Sequence, residues 1–260
     1  MRKDISHRLL TTEREQLILG HLRESEVATV AELCQALSVS EATVRRDLQS
    51  LQARGYLERI HGGASLKPQP RENEPIFTAK ESKFTKEKQR IAARALELIQ
   101  PNDIIYLDGG STVLCLARLL EDKPPLTIVT NSLMAAAILM ESKHHLVLTG
   151  GEFRAISRTL VGPLTVHVLQ NLTIDKAFMG TFGLSQNSGL TTTDFNEAFT
   201  KKQIYTRARQ VILLADHSKM GASSFANSGA LSDINLLITD AISDQFRQRL
   251  EENGVQILMA

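Results

Sequence analysis

Ser40-Glu41-Ala42-Thr43-Val44-Arg45-Arg46-Asp47-Leu48, trailed by Arg59-Ile60-His61-Gly62-Gly63, decides how this chain is read. At about 100° per residue, Val44, Leu48 and Leu51 form one apolar stripe, which predicts a helix capped by Ser40 and stopped at Gly55. Its opposite face centres on Arg46, with Ala42 and Gln49 beside it and Thr43 and Arg45 on the flanks. Upstream, Thr29-Val30-Ala31-Glu32 has the pattern of a capping box and opens a shorter helix with Leu33 and Leu37 facing inward. Ser38-Val39-Ser40 is the turn between the two. Thr12-Glu13-Arg14-Glu15 has the same pattern and is expected to start a first helix carrying Leu17, Ile18 and Leu22. Downstream, Tyr56-Leu57-Glu58-Arg59-Ile60 alternates like a strand, and His61-Gly62-Gly63 turns it back through Ala64-Ser65-Leu66.

Two helices on a tight turn, followed by a small hairpin, make a winged helix-turn-helix. A helix of this width fits the major groove, where arginine reads guanine and glutamine reads adenine. Ser40 at the helix N-terminus suits a phosphate, and Arg59, His61 and Gly62 would lie near phosphate or the minor groove. Exposed charge pairs are usually solvated faces, and a hairpin can simply close a core. The short helix-turn-helix spacing turns the reading toward double-stranded DNA.

Val39-Ser40-x-x-Thr43-Val44-Arg45-Arg46-Asp47-Leu48, with Gly55-Tyr56-Leu57-x-Arg59-x-His61-Gly62-Gly63-Ala64, resembles the winged helix-turn-helix signature of the DeoR family of bacterial regulators. The resemblance runs through the whole head.

The 260 residues allow one large or two unequal domains, and a net charge of +1 excludes a generic basic nucleic-acid coat. Over residues 1–66 nine Lys/Arg balance nine Asp/Glu, so a DNA footprint must come from how charge is distributed. One neutral head binds weakly, which predicts a homo-oligomer, a dimer or tetramer on paired half-sites. Cys34 and Cys115 fall in apolar helical patterns and read as small hydrophobes in a reducing compartment. Without a secretory segment or a membrane-length apolar run, a cytoplasmic protein with no membrane partner is expected.

Lys67-Pro68-Gln69-Pro70-Arg71-Glu72-Asn73-Glu74-Pro75 holds three prolines and almost nothing apolar, as a linker does. The domains expected are therefore a DNA-binding head over 1–66, a linker over 67–80 and an effector-sensing domain over 81–260. Phe77 and Phe84 are candidates to tack the segment down before a long helix with Ile91, Ala92, Ala95, Leu96 and Ile99, stopped by Pro101.

Beyond residue 100, short apolar runs alternate with helices. The runs are Ile104–Leu107, Leu126–Thr130, His145–Thr149, Ala177–Met179, Val211–Ala215, Leu236–Thr239 and Val255–Leu258, with a helix near 244–252 before the last. The pattern predicts an α/β domain with a mainly parallel sheet, whose crevice lies beyond the carboxyl ends of the strands. Polar clusters follow those ends: Asp108-Gly109-Gly110-Ser111-Thr112, Asn131, Gly150-Gly151, and Asp216 with Lys219. The first makes sense as an anion cradle, with two glycines, two hydroxyls and a helix N-terminus. A plain strand-to-helix turn explains it equally well. No P-loop or dinucleotide fingerprint is present, and no cofactor is expected. Thr191-Thr192-Thr193-Asp194 reads as a helix entry, with Thr193 or Asp194 the cap. On that helix Asp194, Glu197 and Lys201 share one face, either an ion-pair stripe or a sugar-contacting surface, with Lys201 rather than Lys202 inward.

The resemblance to the DeoR family continues through Asp108–Thr112, Thr130-Asn131, Thr149-Gly150-Gly151, Val161-Gly162-Pro163, Gly189–Thr192, Glu197-Ala198 with Lys201, and Ala215-Asp216-His217-Ser218-Lys219. It implies a sensor domain with the fold of ribose-5-phosphate isomerase and a phosphorylated sugar or related metabolite as effector. The implied phosphate site is Gly109 to Thr112, with hydroxyl contacts from Asp108, Asn131, Asp194, Glu197 and Lys219.

Other chemistry fits less well. Consecutive Asp216-His217-Ser218 cannot assemble a catalytic triad, and His144-His145 lacks spaced metal-ligating partners. The function expected is a sequence-specific regulator, a repressor of a sugar or carbohydrate catabolic operon, with no catalytic residues and no metal. The alternative is a sugar-phosphate isomerase bearing a DNA-binding head, since a carboxylate and a lysine beside an anion loop could move a proton. A constitutive architectural DNA binder is a third reading, which leaves the crevice without a role.

Overall fold

The turn at Ser38 is where the head takes its shape. Ser38 adopts a left-handed conformation (φ 54°) and ends helix α2 (Val30–Leu37), so that helix α3 (Glu41–Ala53) crosses it. The capping box predicted at Thr29 is present: its hydroxyl accepts from Glu32 N at 3.2 Å, and Glu32 accepts from Thr29 N at 2.7 Å. The computed structural model describes residues 11–25, 27–53, 57–60, 62–66 and 74–260. Gly55, Tyr56, His61 and residues 67–73 lie outside them, so the expected helix stop, the histidine of the wing and most of the proline-rich stretch are not described.

Helix α1 (Thr11–Ser25) already includes Thr11, so Thr12 lies within the helix and is not its cap. Ile18 and Leu22 are buried, but Leu17 is 49% exposed and belongs to the outer face. A strand not anticipated, β1 (Val27–Thr29), pairs with the wing. Strands β2 (Leu57–Ile60) and β3 (Gly63–Leu66) form the predicted antiparallel hairpin, and β1 lies on the other side of β3. Gly63 is required there, because a Cβ would lie 2.3 Å from the Ala28 carbonyl oxygen. The head's core joins Ile18, Leu22, Leu33, Leu37, Val44, Leu48, Leu51, Leu57 and Ala64.

Asp47, beside the outward arginines, faces the other way. Its carboxylate is nearly buried and accepts a two-pronged contact from Arg14, at 2.7 and 2.9 Å, which ties α1 to α3. Asp47→Asn is expected to lower the head's stability by about 1.5–3 kcal/mol, the range for a charge-assisted bond. Urea unfolding followed on a head signal checks it, and an unchanged midpoint would show the pair to be idle.

The chain divides into two units, Met1–Arg71 and Glu72–Ala260. The expectation of a linker to residue 80 is therefore corrected in its last part: residues 74–80 are built into the sensor. Phe77 is buried, its N–H donates to the Ile156 carbonyl at 3.1 Å, and Arg158 lies 5.3 Å from its ring centre. It opens helix α4 (Phe77–Ser82), and helix α5 (Thr85–Leu96) follows. Phe84 is not tacked into the core; it is exposed, with its ring edge-on to His217 at 4.8 Å.

The sensor's sheet holds every strand read from the sequence. Strands β4 (Ile104–Leu107), β5 (Thr127–Thr130) and β6 (His145–Leu148) run on one side, with α6 (Ser111–Arg118) and α7 (Leu133–Leu139) between them. A hairpin of β7 (Glu152–Arg154) and β8 (Thr159–Val161) and helix α8 (Pro163–Leu169) lead back to β9 (Ile174–Met179), which pairs with the other edge of β4. After β10 (Gly183–Ser185), β11 (Gly189–Thr192) and α9 (Phe195–Arg207) come β12 (Ala208–Leu214), β13 (Ala226–Gly229), β14 (Leu236–Thr239), α10 (Asp244–Glu252) and β15 (Gln256–Met259). The seven main strands are all parallel, in the order β15-β14-β12-β9-β4-β5-β6. Two apolar layers sandwich this sheet, one including Ile91, Val113, Phe178 and Ile212, the other Tyr106, Ala177, Ile204 and Phe246. Strands β10, β11 and β13 form a separate antiparallel sheet that the alternation of long apolar runs did not reveal.

Successive strands are added outward in opposite directions from β4 and from β9, so the topological switch point lies where Asp108 follows β4 and Gly180 follows β9. A crevice for a ligand forms at such a point.

Candidate functional site

Lys201 closes the switch point. Its ammonium reaches from α9 to the Asp108 carboxylate and donates to the Gly180 carbonyl at 2.9 Å, while Gly180 N–H donates to Asp108 at 3.0 Å. Lysine and aspartate are both almost wholly buried. Glu197, one turn back, lies 3.8 Å from the same ammonium. Burial pushes the Lys201 pKa down, but Asp108 and Glu197 outweigh it and hold the ammonium above its ordinary range. Burial pushes Glu197 up despite Lys201 and Arg154. Lys202 points to solvent, so the inward choice of Lys201 agrees with the structure.

Arg154 continues the network and was not read from the sequence. Its guanidinium contacts Asp194 at 3.5 Å and Glu197 at 3.3 Å, donates to Thr193 at 3.1 Å, and donates to Glu74. Asp194 is the α9 cap, accepting from Glu197 N–H at 2.8 Å. Glu74, on a segment read as linker, also accepts from Lys80 and from the Thr193 hydroxyl. Burial pushes the Glu74 pKa up, but Arg154, Lys80 and Thr193 together bring it down to about 2 from 4.5. The stability it contributes is therefore complete above pH 4.5 and lost as pH falls toward 2. Neither Arg154 nor Glu74 stands in a recognisable motif; only the hairpin β7–β8 brings the arginine across.

The loop after β4 is glycine-dependent for two separate reasons. Gly109 packs against β8, where a Cβ would meet Thr159 Cγ2 at 2.1 Å. Gly110 has φ 133° and ψ 150°, a region reserved for glycine, and open space on its Cβ side. Ser111 donates to the Lys80 carbonyl at 3.3 Å, so its hydroxyl is engaged rather than free as an anion donor; Thr112 is buried. Asn131 ties β5 to β8 through Leu160, at 3.1 Å from its amide and 2.8 Å to its backbone carbonyl, leaving a buried Oδ1 without a partner. Gly151 sits where a Cβ would meet Thr165 Oγ1 at 2.0 Å, and the Gly150 carbonyl accepts from that hydroxyl at 2.6 Å. The Lys219 backbone N–H donates to the Asp216 carbonyl at 3.0 Å, while its ammonium has no hydrogen-bonded or ionic partner among the described residues and lies 6.0 Å from the Phe182 ring centre. Burial, then Lys80 and Lys83, lower its pKa against the pull of Asp216 and Glu74. The structure thus joins Asp108, Asp194, Glu197 and Lys201 directly. Asn131 is held by Leu160, and Gly150 and Gly151 lie against Thr165.

In the head, Ala42, Arg45, Arg46 and Gln49 are exposed on one side of α3, and Arg59 and Gly62 are exposed on the wing. Arg45 pairs with Glu41 at 3.0 Å, whereas Ser40 and Thr43 share a 3.0 Å hydroxyl contact at the helix start. His144 is a strut: its ring accepts from Leu126 N–H at 3.2 Å and meets the Leu120 carbonyl at 2.9 Å.

Family models match both units: a DeoR-like helix-turn-helix domain over residues 14–69 and a DeoR C-terminal sensor domain over residues 83–241. The chain belongs to the DeoR family. It is a DNA-binding transcriptional regulator. Among its DeoR-family relatives, the HTH-type regulator FruR of Bacillus subtilis is 33% identical over 96% of this chain and 99% of its own. The lactose phosphotransferase system repressor of Streptococcus mutans is 35% identical over 92% and 96%. The glycerol-3-phosphate regulon repressor of Escherichia coli is 33% identical over 88% and 91%. Ribose 5-phosphate isomerase A from Methanocaldococcus jannaschii shares 21% identity over 51% of this chain and 52% of that one at a TM-score of 0.38, too slight a likeness to bear on function. No helix among the described residues is long and apolar enough to cross a membrane.

Proposed function

We propose that this DeoR-family protein represses a sugar or carbohydrate catabolic operon in the cytoplasm, as a dimer or tetramer, and that a phosphorylated sugar or related metabolite controls its hold on the operator. The observation that carries the effector reading is the Asp108–Lys201–Glu197 cluster at the switch point, beside the open side of Gly110. The phosphate goes to Gly109–Thr112, and hydroxyl contacts come from Asp108, Asn131, Asp194, Glu197 and Lys219. Relatives named as sugar-system and glycerol-3-phosphate repressors support the class of effector. A thermal-shift screen of sugar phosphates, followed by gel shifts with the hits, tests it: a stabilising compound must also change operator affinity. Among the compounds, ribose 5-phosphate doubles as the check on the isomerase alternative, since its conversion to ribulose 5-phosphate would revive that reading. Against it, Lys201 is held charged by its carboxylate neighbours, which suits a strut and not a proton acceptor.

On the DNA side, Ala42, Thr43, Arg45, Arg46 and Gln49 are the major-groove contacts, Ser40 a phosphate contact, and Arg59, His61 and Gly62 contacts to phosphate or the minor groove. Arg46→Ala should weaken specific binding by about 1–3 kcal/mol and leave the effector response intact. Equal losses on operator and random DNA, measured by competition gel shift, would reduce Arg46 to a phosphate anchor.

A further inference from the structure

Glu74 is the third residue of the sensor unit, where the chain arrives from the head, and it is buried in the middle of the candidate effector site. Its two carboxylate oxygens take up Lys80 on one side and Arg154 with Thr193 on the other. Arg154 also holds Asp194 and Glu197, which in turn reaches Lys201. The carboxylates of Glu74, Asp108, Asp194 and Glu197 outnumber the cations of Lys80, Arg154 and Lys201 by one. This network is thus filled from within, and inside it carboxylates exceed the cations they contact by one, with the Lys219 ammonium outside those contacts. A hollow on the described surface is lined by Lys86, Glu87, Gln89, Arg90 and Ala93, none of which belongs to this network.

An anionic ligand entering such a cluster meets like charge unless a resident carboxylate leaves. Of the four, Asp108 is fixed by Gly180 and Lys201, Asp194 caps α9, and Glu197 sits within that helix. Asp108 directly follows β4 and Asp194 directly precedes α9, whereas Glu74 lies on irregular chain three residues before α4, adjoining no helix or strand. We propose that Glu74 is a resident latch: the anionic group of the effector, arriving at the Gly109–Thr112 loop whose Ser111 meets the Lys80 carbonyl, competes for Lys80 and displaces Glu74 from Lys80, Arg154 and Thr193. Its departure frees the chain through which the sensor is joined to the head. Lys219, uncommitted and close enough to feel both Lys80 and Glu74, supplies a further cation once the anion is in place. This rests on the reading of the sensor as a receptor for an anionic metabolite and adds how occupancy is turned into movement.

The test uses the full chain with inorganic phosphate as the probe. Amide hydrogen exchange of residues 74–82 is followed with and without phosphate, and phosphate affinity is measured by calorimetry for the natural protein, Glu74→Gln and Glu81→Gln. Glu81 lies on the same segment and pairs with Arg118, so its variant removes one negative charge without touching the latch. The latch predicts faster exchange at 74–82 when phosphate binds the natural protein. It predicts that Glu74→Gln exchanges fast from the start and binds phosphate roughly tenfold tighter, because a site once mostly closed is now open. Glu81→Gln should match the natural protein. Equal phosphate affinity in all three, with 74–82 equally protected, would make Glu74 a fixed strut and leave the anion-sensing reading intact. An equal gain in both variants would assign the effect to bulk charge and overturn the latch. If phosphate binds none of them, the anionic-receptor reading falls and the latch with it. Should Glu74→Gln fail to fold, exchange in the natural protein decides by itself.

Discussion

Lys201→Met is expected to lower the sensor domain's stability by about 3–5 kcal/mol, because it strands two buried carboxylates that shared one ammonium. The methionine fills a similar volume, so packing accounts for little of the loss. What remains is Asp108 with only the Gly180 N–H, and Glu197 facing Arg154 alone. Asp108→Asn in the same chain should recover part of the stability, since it removes one uncompensated charge and keeps the shape. The check is a double-mutant cycle by urea unfolding, with a coupling of about 1 kcal/mol or more between positions 108 and 201. A coupling near zero would mean the two residues are neighbours without being partners. Operator binding without effector should survive in Lys201→Met, because the head has a core of its own.

How far the sequence reaches can be seen at these positions. Apolar runs revealed all seven parallel strands, because the inner ones are buried on both faces where they cross the core; the runs missed the polar starts of β9 and β12, three residues each. Lys201 could be told from Lys202 because α9 is regular, and a hundred degrees separates neighbouring residues. The short antiparallel strands β7, β8, β10, β11 and β13 escaped, being three or four residues long and partly polar. Strand β1 escaped for the same reason. Arg154 and Glu74 were invisible for a different one. They meet across 80 residues of chain, and a lone arginine in a short hairpin or a glutamate among prolines carries no local pattern. The proline-rich composition around 67–75 is what disguised Glu74 as solvated linker, because composition registers the average of a stretch while the site uses a single residue of it.

The two glycines after β4 also look alike in sequence and differ in the folded chain, and that difference gives the second large effect. Gly110→Val should leave the protein on its operator at every effector concentration that releases the natural form. At φ 133° and ψ 150° a branched residue is strained by about 1–3 kcal/mol, and its side chain would project into the open space that Gly110 now leaves. Both consequences act against close approach of an anion to the backbone there. Gly109→Ala is the contrasting case. Its Cβ would strike Thr159 Cγ2 at 2.1 Å, so it should push on β8 and lower stability without reaching into the open side. Gel shifts over an effector titration, alongside melting curves for each variant, separate the two effects. If Gly110→Val melts near the natural protein and is still released by effector, the anion does not lie against this loop. If both variants lose response in proportion to their loss of melting temperature, the loop acts through stability alone. Loss of response in Gly110→Val, with Gly109→Ala less stable yet still responsive, is the pattern that a backbone cradle at Gly110 requires.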